Sequence, residues 1–273
     1  MKPTAWLTAV LVVLSMANGA TALQAAEEIA LKVADSFPTT HYVSVQGGQF
    51  WMNRVKALTN GQVTFQHYPA QQLGKAADLL TLTQTGVTDI GYVAPAYVSD
   101  KMPLSGVVEL PGLFDTSCKG SRASWKLIKA GILGKEDFEK NRVKALFAFT
   151  LVPFQVFTSK RGKIDSMGSL QGLKIRTAGG SIPLALKSLG MVPINISAPE
   201  IRESLSRGTI DGSVGPFSSV KPYGLHELVQ YGTSGAGFGS FLVTYSIGDE
   251  KWKGLPANVQ DAMARAGEET VEH

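Results

Sequence analysis

Twice along this chain a short apolar run leads to a helical stretch, a second run, a second helical stretch and a third run that carries an aspartate near its start. In the first half the runs are 29–34, 62–67 and 89–93, with helical patterns over 43–58 and 76–85. Val43, Phe50, Trp51, Val55 and Leu58 make the stripe of the first helix, which is broken by Gly47-Gly48 and stopped by Asn60-Gly61. In the second half the runs are 172–176, 192–196 and 210–214, with helices over 182–189 and 199–207, the latter opened by Pro199 and closed by Gly208. Strands spaced by helices pair in parallel, because a parallel crossover needs a dozen or more residues and its helix covers the sheet. The expected fold class is α/β, as two similar lobes with a ligand cleft where strand ends converge. Further strand-like segments lie at 143–149, 155–158 and 241–246, and a helix runs from 257 to 268 or beyond. The Gly- and Ser-rich segment 232–239 reads equally well as a surface turn or as a crossing between lobes. The boundaries expected are 27–150 for lobe I, with part of 240–273 returning to it, and 151–239 for lobe II.

Residues 1–26 read as a signal peptide: Lys2, an apolar core from Trp6 to Met16, and small residues at Ala20-Thr21-Ala22 and Gln24-Ala25-Ala26. That core is too short for an ordinary membrane span, and no cysteine stands at the cleavage region for lipid attachment. An exported, soluble protein is expected. Net charge is +4 over the whole chain, one unit of it from Lys2. The densest basic group, Lys160-Arg161-Gly162-Lys163, has no interleaved aromatics, so it reads as a solvated turn and no nucleic-acid partner is expected.

Cys118 is the single cysteine, which excludes an internal disulfide, and it is expected to be buried as a small hydrophobe. His41, His67, His226 and His273 show no metal-ligand spacing. Neither Cys118 with a histidine nor His67 with Asp89 and a serine is ordered as a nucleophile with its base, and no Gly-x-Ser-x-Gly elbow occurs. Segment 232–239 lacks the Lys-Ser/Thr ending and the spacing of phosphate-binding loops. No enzyme, catalytic residue, metal or cofactor is expected.

Several segments together resemble the solute-binding proteins of tripartite ATP-independent periplasmic (TRAP) transporters, the dicarboxylate-type family. They are residues 31–41, Tyr68-Pro69-Ala70-Gln71-Gln72-Leu73-Gly74, Asp89-Ile90-Gly91-Tyr92, Leu170-Gln171-Gly172-Leu173-Lys174-Ile175-Arg176, Leu189-Gly190 with Pro193, and the Leu205–Gly212 stretch. Their order and spacing span most of the chain beyond residue 26. The resemblance implies a two-lobe periplasmic-binding-protein-like fold that closes over an organic anion in the periplasm. It also implies delivery of that small organic carboxylate to the membrane permease subunits of a TRAP transporter, by a protein acting as a monomer. Family members continue with a further helical stretch packed across the lobes where this sequence stops, so either the sequence is a truncated form or its lobes pack differently. A module reporting to a membrane sensor would present the same cleft; a binding protein for an ATP-driven importer fits the Gly-Leu-Lys-Ile-Arg and Asp-Gly segments less well.

Arg176 matches the family's ligand arginine, and its planar fork suits a carboxylate through two parallel hydrogen bonds. The family's second arginine falls at Phe154 here, its asparagine at Gly215, and its cleft-side aromatic at Ala198. Those departures remove a cation and a polar donor and open space. They point to a monocarboxylate with an apolar or aromatic body, against which Phe154 can pack. Tyr92, His41, Gln72, Phe217 and Ser218 are further candidates for the cleft, with Ser219 beside them. Trp125 and Phe238 are expected in the core, and Asp211 and Gly212 as strand-end architecture.

Overall fold

The structure is a computed structural model describing residues 27–159 and 163–273. The signal peptide expected at 1–26 and most of the basic turn at 160–163 lie outside the described residues. The chain runs through β1 (Ile29–Ala34), α1 (Phe50–Leu58), β2 (Val63–Tyr68), α2 (Leu79–Gln84), β3 (Ile90–Val93), α3 (Ser117–Lys129) and β4 (Val143–Thr150). It continues through β5 (Gln155–Thr158), β6 (Lys174–Thr177), α4 (Ile182–Ser188), β7 (Val192–Asn195), α5 (Ile201–Ser206), β8 (Gly212–Gly215) and β9 (Tyr231–Gly232). It ends with β10 (Leu242–Gly248), α6 (Asp249–Lys253) and α7 (Ala257–Glu272).

These strands form two five-stranded sheets, ordered β2-β1-β3-β10-β4 and β7-β6-β8-β5-β9. In each, three strands are parallel and a fourth joins antiparallel beside the innermost of them: β10 against β3, and β5 against β8. The aspartates singled out in sequence play one part in both. Asp89, at the entry to β3, accepts the Lys32 N–H of β1 at 2.8 Å; Asp211, at the entry to β8, accepts the Lys174 N–H of β6 at 2.9 Å. Each carboxylate ties the start of one parallel strand to the next. The repeated layout read from sequence is a repeated tertiary unit.

The segment 43–58 does not form one α-helix. Val43–Gln49 is wound as wider π-helical turns, and α-helical geometry begins at Phe50. Gly47 and Gly48 are buried where this segment presses on the first sheet; a Cβ on Gly48 would stand 2.8 Å from the Tyr245 hydroxyl oxygen, and one on Gly47 would stand 3.0 Å from the Phe149 ring. The two glycines are what allow so close an approach.

The core is continuous between the lobes. Leu31, Val33 and Ile247 of the first sheet belong to the same buried cluster as Ile175 and Val214 of the second, with Leu151, Phe154 and Phe241 between them. The chain crosses from the first sheet to the second at 151–154 and returns at 233–241, so the glycine-rich segment is a crossing. The two crossings lie side by side: Leu151 N–H donates to Phe241 O (3.0 Å), Phe154 N–H to Gly239 O (2.8 Å) and Phe238 N–H to Phe154 O (3.1 Å). Phe238 packs on this core, and Trp125 on a second cluster under α3.

Cys118 corrects the sequence reading. It is exposed in the first turn of α3, because the face turned inward is that of Gly120, Ser121, Ser124 and Ile128.

Candidate ligand-binding cleft

The parallel strands of both sheets end at the junction of the lobes, and the residues just past those ends build one cavity. From the first lobe come Phe37 and His41 after β1, Tyr92 in β3, and Tyr97 after it; from the second come Arg176, Ala198 after β7, and Val214, Gly215 and Ser219 in and after β8. Leu151, Phe154 and Phe241 of the crossings close the back wall. The enclosed space, counted as room for the centres of water molecules, is about 50 Å³, and its surface is mostly apolar. Crevices beyond the carboxyl ends of parallel strands are where α/β folds hold small ligands.

Arg176 is 5 % exposed. Its Nε donates to Ile196 O at 2.6 Å, and its Nη2 to the Tyr97 hydroxyl at 3.4 Å. That same hydroxyl accepts the Ala198 N–H at 3.0 Å, so a phenol from the first lobe holds both the guanidinium and a backbone amide of the second. Among the described residues no Asp or Glu stands within ion-pair distance of Arg176. Its neighbours are neutral acceptors and aromatic rings.

His41 is neutral in this setting. Burial lowers its pKa to about 4, against an opposing pull from Asp35. Its Nδ1 accepts the Val43 N–H at 3.2 Å, which leaves the proton on Nε2 facing Ser219 Oγ at 3.0 Å in the other lobe. Asp35 is itself fully buried and engaged by the Phe37 N–H, the Tyr245 hydroxyl and His67 Nε2. Burial, before any neighbouring charge, raises the phenols of Tyr92 and Tyr223 well above their ordinary value, so both keep their protons.

The cavity wall takes in Arg176, Phe154, Tyr92, His41 and Gly215 from the residues singled out in sequence. Gln72, Phe217 and Ser218 lie outside it. Gln72 is exposed in the turn that follows β2, its N–H bonded to Pro69 O at 3.1 Å. Phe217 is half exposed, its ring 6.1 Å from that of Phe157, and the Ser218 side chain bonds the Tyr42 phenol. Sequence reasoning missed Tyr97 and Tyr223, which sit in a short 3-10 helix (Pro95–Val98) and a turn, too short for periodicity to mark an inward face. A second contact between lobes was missed as well: buried Glu109 accepts the Ser181 N–H through Oε2 at 3.2 Å, while its Oε1 has no partner among the described residues. Among the described residues no group of three or more His, Cys, Asp or Glu side chains is arranged to hold a metal ion.

Two α/β lobes joined by paired crossings over a buried arginine define a protein built to enclose a small solute. The chain belongs to the family described as bacterial extracellular solute-binding protein, family 7, whose profile matches residues 36–273. A TRAP solute-binding protein from Rhodoferax ferrireducens, solved with copurified benzoate, superposes with a TM-score of 0.83 at 25% identity, covering 89% of this chain and 76% of that one. One from Bordetella bronchiseptica, solved with (R)- and (S)-mandelate, gives 0.83 at 27% identity, covering 89% and 77%. The C4-dicarboxylate-binding periplasmic protein of Rhodobacter capsulatus is 27% identical over 223 residues, 79% of this chain and 64% of that protein. Across seven of the curated relatives it matches, the aligned region spans from 37% to 75% of the relative's own length. The resemblance read in the sequence is thus the family to which the chain belongs; its dicarboxylate label does not fix the ligand, since these relatives divide between dicarboxylate and aromatic monocarboxylate.

Proposed function

We propose that this protein captures a monocarboxylate with an apolar or aromatic body outside the cytoplasmic membrane and hands it to a TRAP permease. The observation that carries this reading is Arg176, a buried guanidinium at the cavity wall with no acidic partner among the described residues. A buried charge needs compensation, and a ligand carboxylate supplies it with two parallel hydrogen bonds. Among the described residues that line the cavity Arg176 is the only Lys or Arg, and His41 there is neutral, so a second carboxylate would be buried without a cation. Phe154, Phe157, Tyr92 and Phe241 offer ring surfaces to an apolar body instead. The benzoate and mandelate held by the Rhodoferax and Bordetella relatives are ligands of this kind.

Export to the periplasm and transfer to a permease belong to the same proposal and rest on the family. A thermal-shift screen of the protein against benzoate, mandelate, hydroxybenzoates, keto acids and C4 dicarboxylates tests the ligand class. Upward shifts confined to aromatic or apolar monocarboxylates are the expected result. A larger shift with succinate or malate than with any monocarboxylate would overturn it.

A further inference from the structure

Tyr223 follows the turn Phe217–Ser219 of the second lobe, its N–H bonded to Ser219 O at 3.3 Å. Its ring lies 5.3 Å from that of His41 across the cleft, and it lines the cavity. The Tyr223 hydroxyl oxygen is buried and has no hydrogen-bond partner among the described residues. Two neighbouring polar groups of that wall are engaged within the protein: the Tyr97 hydroxyl by Ala198 and Arg176, and His41 by Val43 and Ser219. A buried hydroxyl left without a partner is costly and rare in native proteins, and one at a cavity wall points to a group that enters with the ligand. The electrostatic influence of both Arg176 and Asp35 reaches the phenol, so it stands within range of the guanidinium but is not bonded to it.

We propose that Tyr223 is a specificity-determining residue, its hydroxyl bonding a hydroxyl or oxo oxygen on the body of a monocarboxylate whose carboxylate lies on Arg176. This rests on the function proposed above and narrows it: the protein selects hydroxy- or oxo-substituted acids over their unsubstituted parents. A site that presents a buried polar group to a substrate hydroxyl rejects the analogue lacking it, because the protein group is then left unpaired.

The test is isothermal titration of the wild type and Tyr223→Phe with two matched pairs, benzoate with 3-hydroxybenzoate and phenylacetate with mandelate. The wild type is expected to favour the hydroxylated member of at least one pair by about tenfold. Tyr223→Phe is expected to lose that preference while its affinity for the unsubstituted member changes by less than about twofold. Because the hydroxyl holds nothing within the protein, the melting temperature of the unliganded variant should not fall, which separates lost recognition from lost folding. A preference that survives in the variant overturns the inference, as does a wild type with no preference in either pair. An equal loss for both members overturns it too, since the hydroxyl would then serve the carboxylate. Failure of the wild type to bind any of the four acids overturns the monocarboxylate reading itself, and the inference with it.

Discussion

Glu109 and His41 give the molecule opposite responses to pH, and both follow from burial. Burial raises the Glu109 carboxyl from an ordinary 4.5 to about 8, only partly offset by the Ser181 N–H. Tyr97, Asp137 and Tyr245, on the segments packed around it, point elsewhere, to Arg176 and Ala198, to Ser105 and to Asp35 respectively. Between those two pH values the native state keeps a proton that the unfolded chain has released, so this contribution is complete below pH 4.5 and is lost as pH rises to 8. His41 runs the other way: its pKa falls from 6.5 to about 4, so its contribution is complete above 6.5 and is lost as pH falls to 4. From 4.5 to 6.5 the two oppose each other; above that only Glu109 acts, removing on the order of 2 kcal/mol by pH 8. Melting temperature should therefore decline across that upper window, and Glu109→Gln should flatten the decline; an unchanged slope would contradict this account. Arg176→Ala should weaken binding of the preferred acid by at least ~100-fold with little change in melting temperature of the free protein, and Arg176→Lys should recover only part of it. Arg176 was legible in the sequence only through the family resemblance carried by the Gly-Leu-Lys-Ile-Arg segment, since local sequence alone reads equally as a surface arginine; it stands one residue before the end of β6. Phe217 and Ser218 were harder to place, because in a 3-10 turn neighbouring residues face different ways, and only Ser219 of the three reaches the cavity.

At the scale of elements, legibility followed the strength of the periodic signal. β1 and β5 have the bounds that their sequence suggested, and β2 and β3 fall within a residue of theirs. The helix α3 carried no such signal. Its buried stripe is Gly120, Ser121 and Ser124 with Ile128, and the first three are small residues that a search for apolar periodicity passes over. They are small because α3 lies close against β4: a Cβ on Gly120 would stand 2.5 Å from Thr150 Oγ1, and Ser121 Oγ accepts the Thr150 N–H at 3.0 Å. Thr116 caps this helix by accepting the Lys119 N–H at 3.3 Å, so Thr116→Ala should cost about 1 kcal/mol in denaturant unfolding. Gly48→Ala should cost more, about 1–3 kcal/mol, because the added carbon meets the Tyr245 hydroxyl that bonds Asp35. Chemical denaturation of both variants beside the wild type would rank them; a Gly48 variant as stable as the wild type would show that the π-helical turns yield easily.

The whole molecule has two sheets but one main core, since the cluster that holds Leu31 and Val33 also holds Ile175 and Val214. Unfolding should therefore be a single calorimetric transition, and ligand should raise its midpoint in proportion to the logarithm of ligand concentration above Kd. Two resolved transitions, with ligand moving only one, would mean that the lobes are thermodynamically separate. Rotation of one lobe against the other has to be absorbed by the covalent links at 151–154 and 233–241, and these also supply Leu151, Phe154 and Phe241 to the cavity wall. Wall and pivot are one piece. An acid a little too bulky for the space beside Phe154 would thus act as a wedge in the fulcrum: it could keep its bond to Arg176 and still hold the jaws apart. On the binding mode proposed above, bulk at that point would set the angle of the clamp, so an acid gripped by its charged end would never be presented as closed cargo.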